Sequence, residues 1–247
     1  MINDSASLMQ TGETSFRIHF GDTVSKVFLK NITEMKKALL ETFYYEIQEI
    51  VPCYTTLTVY FNKEDKRHLR DLTLFVEKWY GEEHALSKAE NRRVTIPVCY
   101  EKPFCLDWER IEECTGLPFD NVIQLHTERI YTTYMIGFLP GFPYLGELNE
   151  RLAVDRLDQP RLKVPQGSVG IGGKQTGVYP IESPGGWNIL GKTPLNLFSI
   201  DRSDPFLIQP GDEIKFQSIS LEDYYVIEKK VENNPDSVWE YIKEFSE

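Results

Sequence analysis

The first ninety residues alternate between two hydrophobic periodicities. Residues 16–20 alternate apolar and polar side chains, as a half-buried strand does, and end at Gly21; residues 51–61 have the β-branched and aromatic content of a second strand. Two stripes of 3.6-residue period predict a helix after each strand. The first begins with Asn31 and Glu34 at capping-box spacing, and the stripes comprise Ile32, Met35, Leu39, Leu40, Phe43, Ile47 and Ile50, then Leu69, Leu72, Phe75, Val76 and Trp79. This order predicts an α+β sandwich, a split β-α-β arrangement of ferredoxin-like character.

The remaining residues predict a second domain that is mostly β. The charged stretch 82–93 has few large apolar residues and is typical of a linker, which divides the chain into domains 1–90 and 91–247. After a strand at Val94–Tyr100, a short helix from Asp107 ends at Gly116, and Asp120 caps another. Residues 131–216 contain strand-like patches spaced roughly eight to twelve residues apart, which predicts a β-barrel or sandwich. The last thirty residues predict a C-terminal helix whose apolar side chains are Val238, Trp239, Ile242 and Phe245.

Composition excludes several classes of function. The chain has 247 residues, 41% of them hydrophobic, and a net charge of −11, which disfavours binding to nucleic acid or to an anionic membrane. The N-terminus lacks a signal-peptide pattern and no long apolar run follows, so we expect a cytoplasmic protein. The four cysteines show neither CxxC spacing nor the density of a disulfide scaffold, which predicts reduced, mostly buried thiols.

Glycine is concentrated in residues 137–191, which hold 11 of the 16 glycines interleaved with aromatic residues. This pattern predicts tight turns between short strands rather than a flexible linker. The run Gly167–Thr176 is similar to a phosphate loop but has Ser168 at the first glycine position and Gln175 after Lys174. The four histidines are too scattered for a metal site, so none is predicted; His126 could act as a base, but a core or surface histidine is the favoured interpretation.

The same region offers polar, cationic and aromatic groups for binding a substrate or a partner. Arginine or lysine would hold a small carboxylate, while glutamine and threonine would contact an amide. The competing interpretation is that these residues satisfy turns and that the aromatic rings belong to the core. The candidates, with no catalytic residue assigned, are Phe142, Tyr144, Arg161, Gln166, Lys174, Gln175, Thr176, Tyr179, Trp187, Lys192 and Thr193.

Several long motifs occur in an order that resembles a known family. They are Ile96–Tyr100, Thr115–Pro118, Val122–Thr127, Tyr134–Gly146, Pro160–Arg161, Val164–Gly170, Gln175–Pro180, Ser183–Trp187, Gly191–Pro194 and Gln209–Asp212. The chain resembles the family that contains the B subunit of 5-oxoprolinase (PxpB), the KipI inhibitor of a sporulation histidine kinase and allophanate hydrolase subunit 1. The resemblance is strongest from about residue 94 to residue 216.

The resemblance implies an N-terminal α+β domain and a C-terminal cyclophilin-like β-barrel. It implies a component that is inactive alone and works with the A and C subunits of 5-oxoprolinase to open 5-oxoproline to glutamate, using ATP that belongs to the complex as a whole. Phosphorylation of the lactam oxygen would let water attack an otherwise stable amide. Two alternatives remain open: an inhibitor that docks on a histidine kinase, for which Phe142, Pro143 and Tyr144 would form the contact, and a hydrolase component of an allophanate or urea pathway.

Overall fold

The computed structural model of the protein describes residues 6–81 and 91–245. The chain divides into two compact units, residues 1–89 and residues 90–247. The first unit contains β1 (Ser7–Gln10), β2 (Ser15–His19), α1 (Lys26–Thr42), β3 (Ile47–Cys53), β4 (Thr56–Phe61) and α2 (Arg67–Gly81). The second contains β5 (Asn91–Cys99), α3 (Trp108–Thr115), α4 (Phe119–Glu128), β6 (Ile130–Ile136), β7 (Pro143–Leu145), β8 (Arg161–Val164), β9 (Ser168–Gly172), β10 (Gln175–Val178), β11 (Ser183–Gly185), β12 (Asn188–Lys192), β13 (Glu213–Ile219), α5 (Leu221–Asn233) and β14 (Ile242–Phe245).

The first unit is a four-stranded antiparallel sheet in the order β1-β2-β4-β3. Because β4 is antiparallel to both of its neighbours, β2 and β3 run parallel on either side of it, and α1 connects them. This is a split β-α-β unit. Ile18, Leu57 and Val59 of the sheet share one buried core with Met35 and Leu39 of α1. The strand at residues 16–20 and the helix around residues 69–79 are confirmed.

The first helix begins and ends earlier than its apolar stripe indicates, since α1 ends at Thr42 and both Ile47 and Ile50 lie on β3. Ser25 is its N-cap, and the Ser25 hydroxyl accepts a hydrogen bond of 3.2 Å from the Phe28 N–H. The predicted capping box at Asn31 and Glu34 is therefore wrong, since both residues lie within the helix. An exposed Val27 and a half-buried Phe28 obscure the start, because the 3.6-residue stripe is weak in the first turn.

The predicted strand at residues 51–61 is a hairpin of two strands. β3 and β4 pair in antiparallel register up to Cys53 and Thr56, with Tyr54 and Thr55 between them. This turn lacks the Asn-Gly or Asp-Gly sequence that normally marks a two-residue hairpin, so the run reads as continuous. Strand β1, which pairs with β2, has no counterpart in the sequence prediction.

The second unit is a closed barrel of seven strands. Its order is β12-β9-β10-β7-β6-β13-β5, and the ring closes where Lys192 of β12 pairs with Cys99 of β5. All pairings are antiparallel except β13–β5, and β14 adds to β5 outside the ring. The barrel encloses a buried apolar core that includes Val94, Ile96, Tyr131, Leu145, Val169, Ile171, Val178, Leu190, Ile214 and Phe216. A barrel, one of the two predicted β architectures, is therefore present.

Two predicted boundaries in this unit need correction. Residues 82–90 of the expected linker lie outside the described residues, and residues 91–93 already belong to β5. Asp120 is not the cap of α4 but lies in its first turn, after Pro118. The short helix before it does end at Gly116, which has a φ of 66°, as predicted from the permissive backbone of glycine.

The C-terminal segment is only partly helical. Helix α5 covers Leu221–Asn233, after which a 3-10 segment, Pro235–Tyr241, carries Val238 and Trp239. The helix predicted through Val238, Trp239, Ile242 and Phe245 is wrong, because Ile242 lies on β14 and pairs with Val94. Pro235 cannot continue α5 as an interior residue, which explains the break.

Two sequence-level expectations concern the chain as a whole. All four cysteines are free thiols; Cys99 and Cys105 are buried as expected, whereas Cys53 is half-buried and Cys114 is exposed. Within residues 6–81 and 91–245, no helix combines the length and the apolar composition that crossing a membrane requires.

Candidate functional site

An aromatic cluster lies on the outer wall of the barrel. Phe142, Tyr179 and Trp187 are buried together with Val164 and Ile189. The Phe142 ring meets the Tyr179 and Trp187 rings edge to face, with centroids 5.2 and 5.5 Å apart, a favourable geometry for aromatic pairs. The structure thus brings three of the predicted binding residues together, in positions with less than 5% exposure.

Glycines form the floor beneath this cluster. Gly170, Gly172 and Gly177 lie on β9 and β10 with their open sides toward Trp187. A Cβ added at Gly172 would lie 2.8 Å from the indole nitrogen, closer than van der Waals contact allows. The indole can lie against the wall only because these positions carry no side chain. Close packing therefore accounts for much of the glycine density in this region.

An ion pair joins the edge of the aromatic cluster to α3. The Arg161 guanidinium donates to Asp107 Oδ1 at 2.5 Å, and Asp107 Oδ2 accepts a 2.6 Å hydrogen bond from the Ile189 N–H. Asp107 precedes α3 but makes no side-chain capping bond. Arg161 Nη1 is buried and has no hydrogen-bond partner among the described residues. The Nη1 group of Arg161 therefore donates no hydrogen bond within the described residues.

A second arginine faces the same tryptophan. Arg156 is exposed, and its guanidinium carbon lies 5.8 Å from the centre of the Trp187 ring, within cation–π range. Tyr144 is half-buried, with its ring centroid 6.2 Å from that of Trp187, and Gln175 is half-buried at the start of β10. These groups form the accessible margin of the otherwise buried cluster.

Three other predicted residues line a separate cleft. Gln166, Lys192 and Thr193 border a cavity of about 240 Å³ together with Tyr224 and Glu228 of α5. The Lys192 ammonium lies 5.5 Å from the centre of the Tyr224 ring. Gln166 donates to Asn196 Oδ1 at 3.1 Å, and the Thr193 hydroxyl accepts from the Leu195 N–H at 3.2 Å. Lys174 lies apart from both groups, exposed between β9 and β10.

Thr176 points into the barrel and completes a buried hydrogen-bond chain. Its hydroxyl donates a hydrogen bond of 3.0 Å to the Gly170 carbonyl. The same hydroxyl lies 2.9 Å from His126 Nε2 and therefore accepts a hydrogen bond from the Nε2–H group. His126 Nδ1 lies 2.8 Å from the Tyr100 hydroxyl, which donates to it. Burial lowers the pKa of His126 from 6.5 to about 3. The neutral, fully buried imidazole confirms the interpretation of His126 as a core residue.

Sequence reasoning overlooked Asp107 and Arg156 as members of the site. Asp107 carried the signal of a helix cap, which hid its contact with Arg161 across 54 positions of sequence. Arg156 stands in an irregular segment with no periodicity that could orient it. A metal site was not predicted, and the described residues contain no group of three or more His, Cys, Asp or Glu residues that would hold an ion.

Comparison with known proteins places the chain in a family. It matches the carboxyltransferase domain family, subdomain C and D, over residues 6–208. It is 37% identical over 231 residues to the 5-oxoprolinase B subunit of Bacillus subtilis (strain 168), covering 90% of this chain and 96% of that protein. It is 38% identical over 205 residues to the protein of the same name from Escherichia coli O157:H7, covering 83% of this chain and 92% of that protein.

Solved structures show the same relationship. TTHA0988 matches 83% of this chain with a TM-score of 0.72 and 33% identity, and this chain spans 40% of TTHA0988. The uncharacterized protein PH0987 from Pyrococcus horikoshii is 37% identical with a TM-score of 0.52, and the match covers 88% of this chain and all of PH0987.

A distant relative by sequence is a putative urea carboxylase of Emericella nidulans. It is 23% identical over 197 residues, which cover 68% of this chain and 16% of that protein. The chain belongs to the carboxyltransferase subdomain C and D family, among the bacterial 5-oxoprolinase B subunits.

Proposed function

We propose that this chain is the B subunit of a 5-oxoprolinase that opens 5-oxo-L-proline to L-glutamate. The observation that carries the proposal is the 37% identity to the Bacillus subtilis B subunit over 96% of that protein's length. The urea carboxylase likeness is far weaker, with 23% identity over 16% of the longer protein. The kinase-inhibitor alternative stays a prediction from sequence. The contact expected at Phe142, Pro143 and Tyr144 is wrong for Phe142 and Pro143, which are buried.

The chemistry is that of the assembled enzyme, in which this chain works with the A and C subunits and hydrolyses nothing by itself. ATP transfers its γ-phosphoryl group to the lactam oxygen, which activates the ring carbon. Water attacks that carbon, the ring C–N bond breaks with a proton passing to nitrogen, and a second water releases phosphate. Glutamate, ADP and phosphate are the products.

The accessible margin of the aromatic cluster is our candidate for the substrate contact. 5-Oxoproline has a flat lactam ring and a carboxylate, which match the Trp187 edge and a neighbouring guanidinium. Arg161 is held by Asp107, whereas Arg156 is exposed beside the Trp187 ring. We assign the carboxylate to Arg156, whose guanidinium lies over the Trp187 ring.

Reconstitution tests the function and the site separately. The chain is combined with the A and C subunits of the same organism, and glutamate release from 5-oxoproline is measured with and without ATP. Turnover is expected only with all three subunits and ATP, and a complete mixture without turnover refutes the function. Arg156→Gln should raise KM about five- to twentyfold at nearly constant kcat, as expected for lost ground-state binding, while the exposed Arg151→Gln should change neither. Unchanged KM in Arg156→Gln refutes this site only.

Four finer assignments complete the proposal. The two compact units are independent folding domains, divided near residue 90. The split β-α-β sheet is of the ferredoxin-like class, and the closed barrel is of the cyclophilin-like class. The protein acts in the cytoplasm, where ATP and free thiols are both maintained.

A further inference from the structure

A group of exposed apolar side chains lies on two loops of the second unit, beside the buried aromatic cluster. We name it the aromatic ridge, and it consists of Phe138, Phe198, Ile200 and Phe206. Phe138 is 65% exposed, Ile200 81% and Phe206 37%. Apolar side chains exposed singly are ordinary, but a contiguous group on a soluble protein marks an interaction site.

The ridge is built on two loops that contact each other. The Phe138 and Phe142 rings meet edge to face at 5.9 Å, and the backbone at Gly141 packs against Phe198, since a Cβ added there would lie 3.0 Å from the Phe198 Cβ. The Phe198 and Phe206 rings lie 5.2 Å apart. The loop of residues 138–142 therefore lies against the loop of residues 198–206, and both loops carry exposed apolar side chains.

Phe138 is held in a strained backbone conformation. Its φ is 65°, and the Leu139 N–H donates to the Gly137 carbonyl at 2.7 Å, which closes a γ-turn centred on Phe138. A γ-turn with positive φ is rare and strained, and the cost is higher for a bulky residue than for glycine. Glycine is available at this kind of position elsewhere in the loop, as Gly141 shows with a φ of 80°. Strain retained at an exposed aromatic residue points to a binding role.

The second loop is fixed by a buried arginine. Arg202 is 4% exposed, and its guanidinium donates to the carbonyls of Asn196, Leu197 and Pro205 at 2.6, 3.2 and 2.9 Å. Ile200 is therefore presented on a framework that does not have to be ordered on binding. Such pre-organisation lowers the entropic cost of association.

The relatives point to a companion polypeptide as the kind of partner that this chain has. TTHA0988 contains the counterpart of this chain as 40% of its own length, so in that protein the matching part is covalently joined to further polypeptide. The Bacillus subtilis relative is named as a subunit. Asp201, exposed beside Ile200, and the net charge of −11 favour a partner surface with an apolar pocket and basic residues around it.

We infer that the aromatic ridge inserts into an apolar, basic-rimmed pocket of a companion polypeptide, namely the C subunit of the proposed enzyme. The inference rests on the proposed function for the identity of the partner. It assigns the contact to the two loops and assigns Phe138 as the anchor, because large, rigid aromatic side chains dominate binding energy at the centre of interfaces.

The test measures the affinity for the purified C subunit of the same organism by isothermal titration calorimetry, with molar mass from light scattering. Phe138→Gly and Ile200→Ser should each weaken binding at least about tenfold. Tyr45→Ser, which removes a side chain of the first unit that is 89% exposed, should change binding less than about twofold. The melting temperature of Phe138→Gly should stay equal or rise, because glycine relieves the positive φ.

The other outcomes overturn the inference in distinguishable ways. Equal affinity of wild type and both ridge variants for the C subunit refutes the ridge but leaves the proposed function intact. A wild-type homodimer that the variants dissociate assigns the ridge to a second copy instead. Absence of any wild-type complex with the C subunit also overturns it, and the glutamate-release assay of the three subunits then decides whether the proposed function fails as well.

Discussion

The buried His126 makes the stability of the second unit depend on pH. The imidazole is fully buried, stacks on Phe216 with ring centroids 4.5 Å apart, and bridges Tyr100 and Thr176 as the neutral tautomer. Burial lowers its pKa from 6.5 to about 3. Below about pH 6.5 the His126 imidazole is therefore protonated in the unfolded chain but stays neutral in the folded chain. The stabilisation is complete above that pH and is lost as the pH falls toward 3.

The size of the effect follows from the two pKa values. Each pKa unit corresponds to about 1.4 kcal/mol, so the free energy of unfolding should fall by about 2.5 kcal/mol between about pH 7 and about pH 4.5 because of His126 alone. Asp212 acts in the opposite direction, since burial raises its pKa from 3.8 to about 6 and the folded chain holds its proton longer. That stabilisation is complete below about pH 4 and is lost as the pH rises through 6.

A substituted protein separates the two groups. In His126→Gln the amide can still accept from Tyr100 and donate to Thr176, but it does not titrate. Urea unfolding followed by tryptophan fluorescence reports mainly on the second unit, which holds Trp108, Trp187 and Trp239. Asp212 is present in both proteins, so the difference between their pH profiles isolates His126. The wild type should lose about 2.5 kcal/mol more than the variant over this range, and parallel profiles would show that His126 is not held neutral in the core.

Two further substitutions test the packing that positions the site. Gly172→Ala places a Cβ 2.8 Å from the Trp187 indole and should destabilise the fold by about 1–3 kcal/mol. The control Gly81→Ala, whose added Cβ meets no heavy atom within 4 Å, should be neutral or slightly stabilising in thermal melts. Equal melting temperatures of the two variants would refute the role of the glycine floor. Arg202→Met removes the donors to three carbonyls and should cost about 2–3 kcal/mol in urea unfolding, and a change within about 0.5 kcal/mol would contradict its role in fixing the loop.

Sequence periodicity predicts elements where one face alone is buried, and it fails where a turn carries no signal. Helix α2 was predicted because Leu72 and Val76 repeat at helical spacing over an exposed opposite face. The β3–β4 hairpin was missed because Tyr54 and Thr55 have strand-like character. The end of the chain was misassigned because Val238, Trp239 and Ile242 fit a helical stripe, whereas pairing with β5 decides the conformation of Ile242.

For the candidate site, composition locates the region, but only the geometry explains the role of each residue. Glycine density drew attention to residues 137–191, yet glycine serves different purposes along that segment. At Gly172 it makes room for a buried indole, which withdraws Trp187 from solvent. No composition reveals this, because it depends on which face of β9 and β10 the ring covers. The position most informative about interaction is one where glycine would be expected and is absent. Phe138 keeps a positive φ and a solvent-exposed ring, so the fold retains backbone strain at an exposed aromatic residue, which agrees with the docking role proposed for Phe138.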